Sequence, residues 1–243
     1  MKTQLVLALC LPLLAFGAQN RHSAPATAAG PGPAANPDCS RRAECPLNLV
    51  TPATPTTLSA NDLVFAIEEE RVAHDIYVAA SAKWNLRVFA NIAAAEIRHE
   101  AALTQLAATA GVQPPAAQPG VYATADLQAL HDQLSSLVNE SVTGALRAGA
   151  LIEETNIVDL RRMAARATDD ASRAVLANLE RASANHLAAF VRNLAGLGVT
   201  YTPQVLKADE YQAMLAGDSR GMGQGQGRGR GQGQGWGCGP DRA

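Results

Sequence analysis

Aromatic residues make up only 4% of this 243-residue chain, and charged residues only 17%. The valines and isoleucines are scattered and never gather into alternating runs. Strands are built on aromatic and β-branched side chains at a period of two, so this shortage excludes a β-rich core. Charge of one sign is lacking too. A formal net charge of −2 argues against a general nucleic-acid binder. Cysteine is sparse at four residues, and no second closely spaced pair accompanies Cys39 and Cys45, so a thiolate metal site is disfavoured. The longest apolar stretch, residues 5–16, falls short of the roughly 20 residues a membrane-spanning helix needs. What remains is alanine and leucine in quantity, which favours close-packed helices in one domain flanked by tails.

The two ends carry no core. Lys2, the apolar stretch and the small residues Ala15 and Gly17 form a secretory signal over residues 1–17, with cleavage near Gly17 and Ala18. The expected location is therefore outside the cytoplasm, in the periplasm or the medium, with no stable membrane span once the signal is removed. Residues 18–57 are rich in Ala, Pro, Ser and Thr and form a flexible leader. In an oxidising compartment Cys39 and Cys45 either close a small disulfide loop or stay as free thiols. Residues 217–243 alternate Gly with Gln and Arg, the composition of a disordered tail. Its few arginines and Trp236 suit a solvated extension better than a specific nucleic-acid contact.

Between the ends, residues 58–216 show four long helical patterns. The first is capped by Ser59, with Asp62 in its first turn, and runs to about Lys83 with an inward stripe of Leu63, Ala66, Ile67, Glu70, Ala73, Tyr77 and Ala80. The second runs from about Arg87 to Ala110 and stops at Gly111, with stripe Phe89, Ile92, Glu96, His99, Leu103 and Leu106. The third covers about 142–167, with stripe Leu146, Ala150, Glu153, Ile157, Leu160 and Ala164. The fourth follows the turn at Thr168 to Asp170 and runs to about Leu197, with stripe Val175, Leu179, Ser183, His186, Phe190 and Leu194. A shorter amphipathic piece lies before the third helix, and a short last helix spans about 209–215. Short turns join helices one to two and three to four, while about 30 residues separate two from three. That is an all-α four-helix bundle with a long crossover between helices 2 and 3, the ferritin-like arrangement.

Each stripe is apolar except near its middle, where Glu70, then Glu96 and His99, then Glu153, then His186 interrupt it. Burying a carboxylate is costly unless it is paired or bound to a cation, so four interruptions at one depth point to one shared metal site. Glu96 and His99 stand three apart and share a helical face. Carboxylate and imidazole donors suit iron, with manganese or zinc as substitutes, in a mononuclear or dinuclear site. Tyr77 either hydrogen-bonds within the site or packs the core. Glu68 and Glu69 are expected to be solvated or paired with arginines such as Arg71, and His22 and His131 to face solvent. The opposing reading takes the same five residues as a polar core network.

The segments "EERVAHDIY" and "EIRH" resemble the first two metal motifs of rubrerythrin-type ferritin-like proteins. More closely, "IEEERVAHDIY", "KWNLRVFANIAAAEIRHEAAL", "GALRAGALIEETNIVDL", "NHLAAFVRNL" and "GVTYTPQVL" together resemble the uncharacterised family catalogued as domain of unknown function 2202, over about 58–215. The resemblance implies a metal-binding bundle and, by ferritin-like analogy, a homodimer. One departure matters. Ser183 stands where a second Glu-x-x-His motif, ending at His186, would carry its glutamate, so five candidate ligands remain, with His74, Glu100 and Glu154 the nearest substitutes. The expected function is an exported metal-binding bundle with ferroxidase-like or peroxidase-like redox activity. The alternative is a non-catalytic module of the cell envelope that sequesters metal or is purely structural. No catalytic residue or organic substrate is legible.

Overall fold

The computed structural model describes residues 55–222, and side chains as far as residue 216. The expected signal, most of the leader, all four cysteines, His22 and the end of the Gly-rich tail lie outside the described residues. Those described are all helix and connection apart from one isolated bridge between Gln118 and Val121. The helices are α1 (Ala60–Trp84), α2 (Arg87–Thr109), α3 (Ala125–Glu140), α4 (Val142–Arg166), α5 (Asp170–Gly196) and α6 (Ala208–Met222).

Local chemistry sets the ends. The Ser59 hydroxyl accepts from the Asp62 amide at 3.1 Å and opens α1, which stops where Asn85 takes a left-handed φ of 51°. Ser141 caps α4 through the Gly144 amide at 2.9 Å, and Asp169 caps α5 through the Ser172 amide at 2.7 Å. The folded part begins before Leu58: Thr56 is buried, with its hydroxyl 2.6 Å from that of Ser172, and Thr57 bonds Asp169. At the other end α6 extends past Leu215 to Met222, into the stretch expected to be tail.

Contacts across the bundle fix its directions. Arg166 near the end of α4 pairs with Asp62 at the start of α1 at 2.7 Å, while Tyr77 further along α1 reaches Gly149 and Glu153 earlier in α4. These two helices are therefore antiparallel. Phe89 near the start of α2 packs against Phe190 near the end of α5, and His99 lies on His186, so α2 and α5 are antiparallel as well. The α1/α2 and α4/α5 hairpins complete a four-helix bundle.

The crossover is itself helical. Glu68 on α1 receives the Ala123 and Thr124 amides at the start of α3, and Trp84 at the end of α1 donates to Val138 near the end of α3. Thus α3 runs alongside α1, its sixteen residues covering about 24 Å. Leu127, Leu130, Leu134 and Val138 bury its inner face. Glu68 and Glu69 are consequently buried and not solvated, and Arg71 bonds Glu100 at 2.6 Å and the Pro115 carbonyl at 2.8 Å instead. His131 is likewise half-buried, its ring 5.3 Å from that of Tyr122.

The stripes are buried as expected apart from the half-buried His186 and two shifts. Ala164 and Val175 are half-buried, and Met163 and Leu176 take the inward places, packing with Leu58, Leu63 and Leu179 where the chain enters the bundle. At the opposite end Phe190 lies flat over α4. A Cβ on Gly149 would come within 2.7 Å of its ring, so only glycine permits this approach.

Candidate metal centre

Two apolar layers sandwich a polar one. On one side lie Leu63, Ile67, Leu103, Leu160 and Leu179, and on the other Ala73, Tyr77, Ile92, Ala150 and Phe190. Between them the four long helices bring Glu70, Glu96, His99, Glu153 and His186 together. The four besides His186 are buried, and the His186 side chain is 14% exposed, which makes it the most solvent-facing member.

Glu96 is the hub. Its Oε2 lies 2.6 Å from His99 Nδ1 and its Oε1 lies 3.0 Å from His186 Nδ1. Glu70 Oε2 stands 3.4 Å from His99 Nδ1, and Glu153 Oε1 stands 3.5 Å from His186 Nδ1. The two imidazoles stack with centroids 5.4 Å apart. The arrangement is nearly two-sided: Glu70 with His99 on one flank, Glu153 with His186 on the other, and Glu96 facing both. Tyr77 resolves to a place in the site, its hydroxyl donating to Glu153 Oε1 at 2.7 Å while its ring packs on Phe190.

These contacts are close but poorly aligned. Glu70 Oε2, both oxygens of Glu96, His99 Nδ1, Glu153 Oε2, His186 Nδ1 and the Ser183 hydroxyl are buried and lack an aligned hydrogen-bond partner. Buried polar atoms are ordinarily satisfied, and several orphans converging on one place are what donor atoms arranged around a cation look like. Glu96, His99 and His186 each offer a ligand atom within 4.8 Å of the others, so this cluster can hold a metal ion.

Electrostatics supports that reading. Burial pushes the Glu70 carboxyl up to about 8, against the pull of the nearby His99. Burial also raises Glu153, although the charge of His186 opposes it. Glu96 moves the other way: burial works to raise it, but the charges of His186 and His99 outweigh that and hold it well below the usual carboxylate range. Burial works to lower both histidines. The charge of Glu96 overrides it, raising His99 well above 6.5 and, with Glu153, raising His186 to about 9. Without a cation Glu70, His99 and His186 therefore tend to keep their protons, which a metal must displace. Metal affinity should therefore rise with pH from 6 to 9, with roughly one to three protons released per binding event near pH 7. Calorimetry in buffers of differing ionisation enthalpy counts those protons; heats independent of the buffer would contradict the arrangement.

The substitute ligands are engaged elsewhere. Glu154 accepts from the Tyr201 hydroxyl and the amides of Gln204, Val205 and Leu206. Glu100 pairs with Arg71 at 2.6 Å, and His74 with Asp75 at 3.1 Å. Glu69 lies against Asp159, which Arg162 holds at 3.0 Å; burial first, then the charge of Asp159, raises Glu69 well above the ordinary range. No helix among the described residues is long and apolar enough to cross a membrane.

A helical bundle whose core carries a Glu/His cluster is the class that fold and site define. Residues 59–218 match the model of a family described as an uncharacterized protein domain, DUF2202, and the chain belongs to that family. It is 34% identical over 158 residues to the uncharacterized protein MJ0754 of Methanocaldococcus jannaschii, a match covering 64% of this chain and 85% of that protein. The crystal structure of hypothetical protein MJ0754 superposes with a TM-score of 0.63 at 32% identity, over 65% of this chain and 91% of the other.

Proposed function

We propose that this protein binds iron, or a similar ion such as manganese or zinc, in its bundle core, with Glu70, Glu96, His99, Glu153 and His186 as the donor set. The observation that carries the reading is the convergence of buried, unaligned nitrogen and oxygen atoms from four helices on one layer. Mixed carboxylate and imidazole donors fit these ions better than calcium or magnesium, which prefer oxygen alone. A bound iron would supply electron exchange with oxygen or peroxide. The chain's part is to hold the donors. Tyr77 orients Glu153, the apolar layers exclude bulk water, and His186 marks the side nearest solvent. The N-terminal sequence supports export, placing this activity in the periplasm or the medium.

The test is to load the protein with Fe(II) without oxygen and then admit oxygen or peroxide. Redox function predicts oxidation of the iron and a new near-ultraviolet absorption. Bound iron that stays Fe(II) would instead favour a sequestering module, a reading to which the depth of Glu70, Glu96 and Glu153 lends weight.

A further inference from the structure

Ser183 is fully buried, lies one helical turn before His186, and its hydroxyl has no aligned partner. In two-metal carboxylate bundles two helices each give one glutamate and two each give a Glu-x-x-His motif, so four carboxylates surround the ions. Here only Glu70, Glu96 and Glu153 border the two histidines. Three carboxylates with neutral imidazoles leave a pair of divalent ions with one positive charge in excess, and a net charge at such depth is costly.

No neighbour supplies the missing charge. Glu154 is enclosed by three amides and the Tyr201 hydroxyl, Glu100 is tied to Arg71, and Glu69 and Asp159 face each other beside Arg162. Serine differs from the glutamate that would stand at its position by a fragment about the size of acetate. The serine hydroxyl can also donate one hydrogen bond to an anion placed there.

Resting on the metal reading above, we propose that the centre takes two divalent ions together with an external, acetate-sized monocarboxylate seated at Ser183, which replaces the absent fourth glutamate. The second ion and the carboxylate then bind with mutual assistance, because each offsets the charge of the other. Ser183→Glu builds the carboxylate into the chain and removes the need for the external one.

Co(II) titrations of the wild-type chain, followed by visible absorption and elemental analysis in acetate and in chloride of equal ionic strength, test this. With acetate at about ten times its own dissociation constant, the apparent dissociation constant of the second ion should fall about tenfold. Ser183→Glu should bind two ions without acetate and show no acetate response. Wild-type binding of two ions indifferent to acetate would overturn the proposal, and so would an equal acetate response in Ser183→Glu. A single ion at saturation with or without acetate would overturn it while leaving the metal reading intact. Absence of any bound metal would sink the metal reading itself. The wild-type comparison decides even if Ser183→Glu fails to fold.

Discussion

Glu96→Ala is expected to lose its metal under conditions where the wild-type protein is fully loaded. The reason is positional. Glu96 presents one oxygen to His99 and the other to His186, so truncating it strips a donor from both flanks of the cluster at once. Removing a group that merely orients a ligand costs about 10–100-fold in affinity, and removing a shared donor should cost at least a hundredfold, on that order. Elemental analysis of the purified variant after loading and desalting gives the answer. A variant that retains the wild-type metal content would place the ion elsewhere and withdraw the functional reading.

The metal-free variant should also be less stable, with a pH dependence that identifies the cause. His99 and His186 are raised above their unfolded value of 6.5, so their contribution is fully present below that pH and is lost as pH rises through the folded value, about 9 for His186. Glu96 is depressed below its unfolded value of 4.5, so its contribution is present above 4.5 and is lost as pH falls through the lower folded value. The three overlap between pH 4.5 and 6.5. Breaking a buried charge pair costs about 3–5 kcal/mol, less where the remaining partner can neutralise, as a histidine can. The melting-temperature gap between metal-free wild type and Glu96→Ala should be widest in that window and should close toward pH 9. A gap that is constant with pH would mean that Glu96 acts by packing and not by charge.

What could be read in advance depended on periodicity. The four stripes, the short turns that end the first and third long helices and the coincidence of polar interruptions are local or repeat every three to four residues, so helix existence and the five clustered residues were accessible. The path of the crossover was not. The shorter amphipathic piece after Pro119 carried no sign of where it would dock, yet α3 lies along α1 and buries Glu68, whose carboxylate receives the Ala123 and Thr124 amides. Asp75 receives the Tyr122 hydroxyl and the Gly120 amide, contacts more than forty residues apart that no pattern along one helix reveals. The same limit applies at Glu153 and Glu154. Helical spacing favoured Glu153, but only the docking of residues 199–206 shows where the neighbouring carboxylate is consumed.

That docking makes Glu154 the second residue whose loss should be large, with the opposite signature. Its buried carboxylate receives the Tyr201 hydroxyl and three amides from successive residues, Gln204, Val205 and Leu206, a concave run of N–H groups matched to an anion. Tyr201 in turn packs at a tilt against Tyr211 of α6, so one side chain of α4 ties the C-terminal segment to the bundle. In Glu154→Ala each of those donors, if it stayed in place, would be buried without an acceptor at about 1–3 kcal/mol apiece. The segment relieves this by undocking, which caps the loss of global stability at about 3 kcal/mol. Glu154→Gln should fare little better, since its single oxygen cannot serve both groups of donors and its NH2 would face backbone N–H. Hydrogen exchange should show protection lost over 199–216 and kept in α1 and α2, with metal content unchanged. If Glu154→Ala instead sheds its metal while the segment stays protected, Glu154 belongs to the centre and the division between the two adjacent glutamates is wrong.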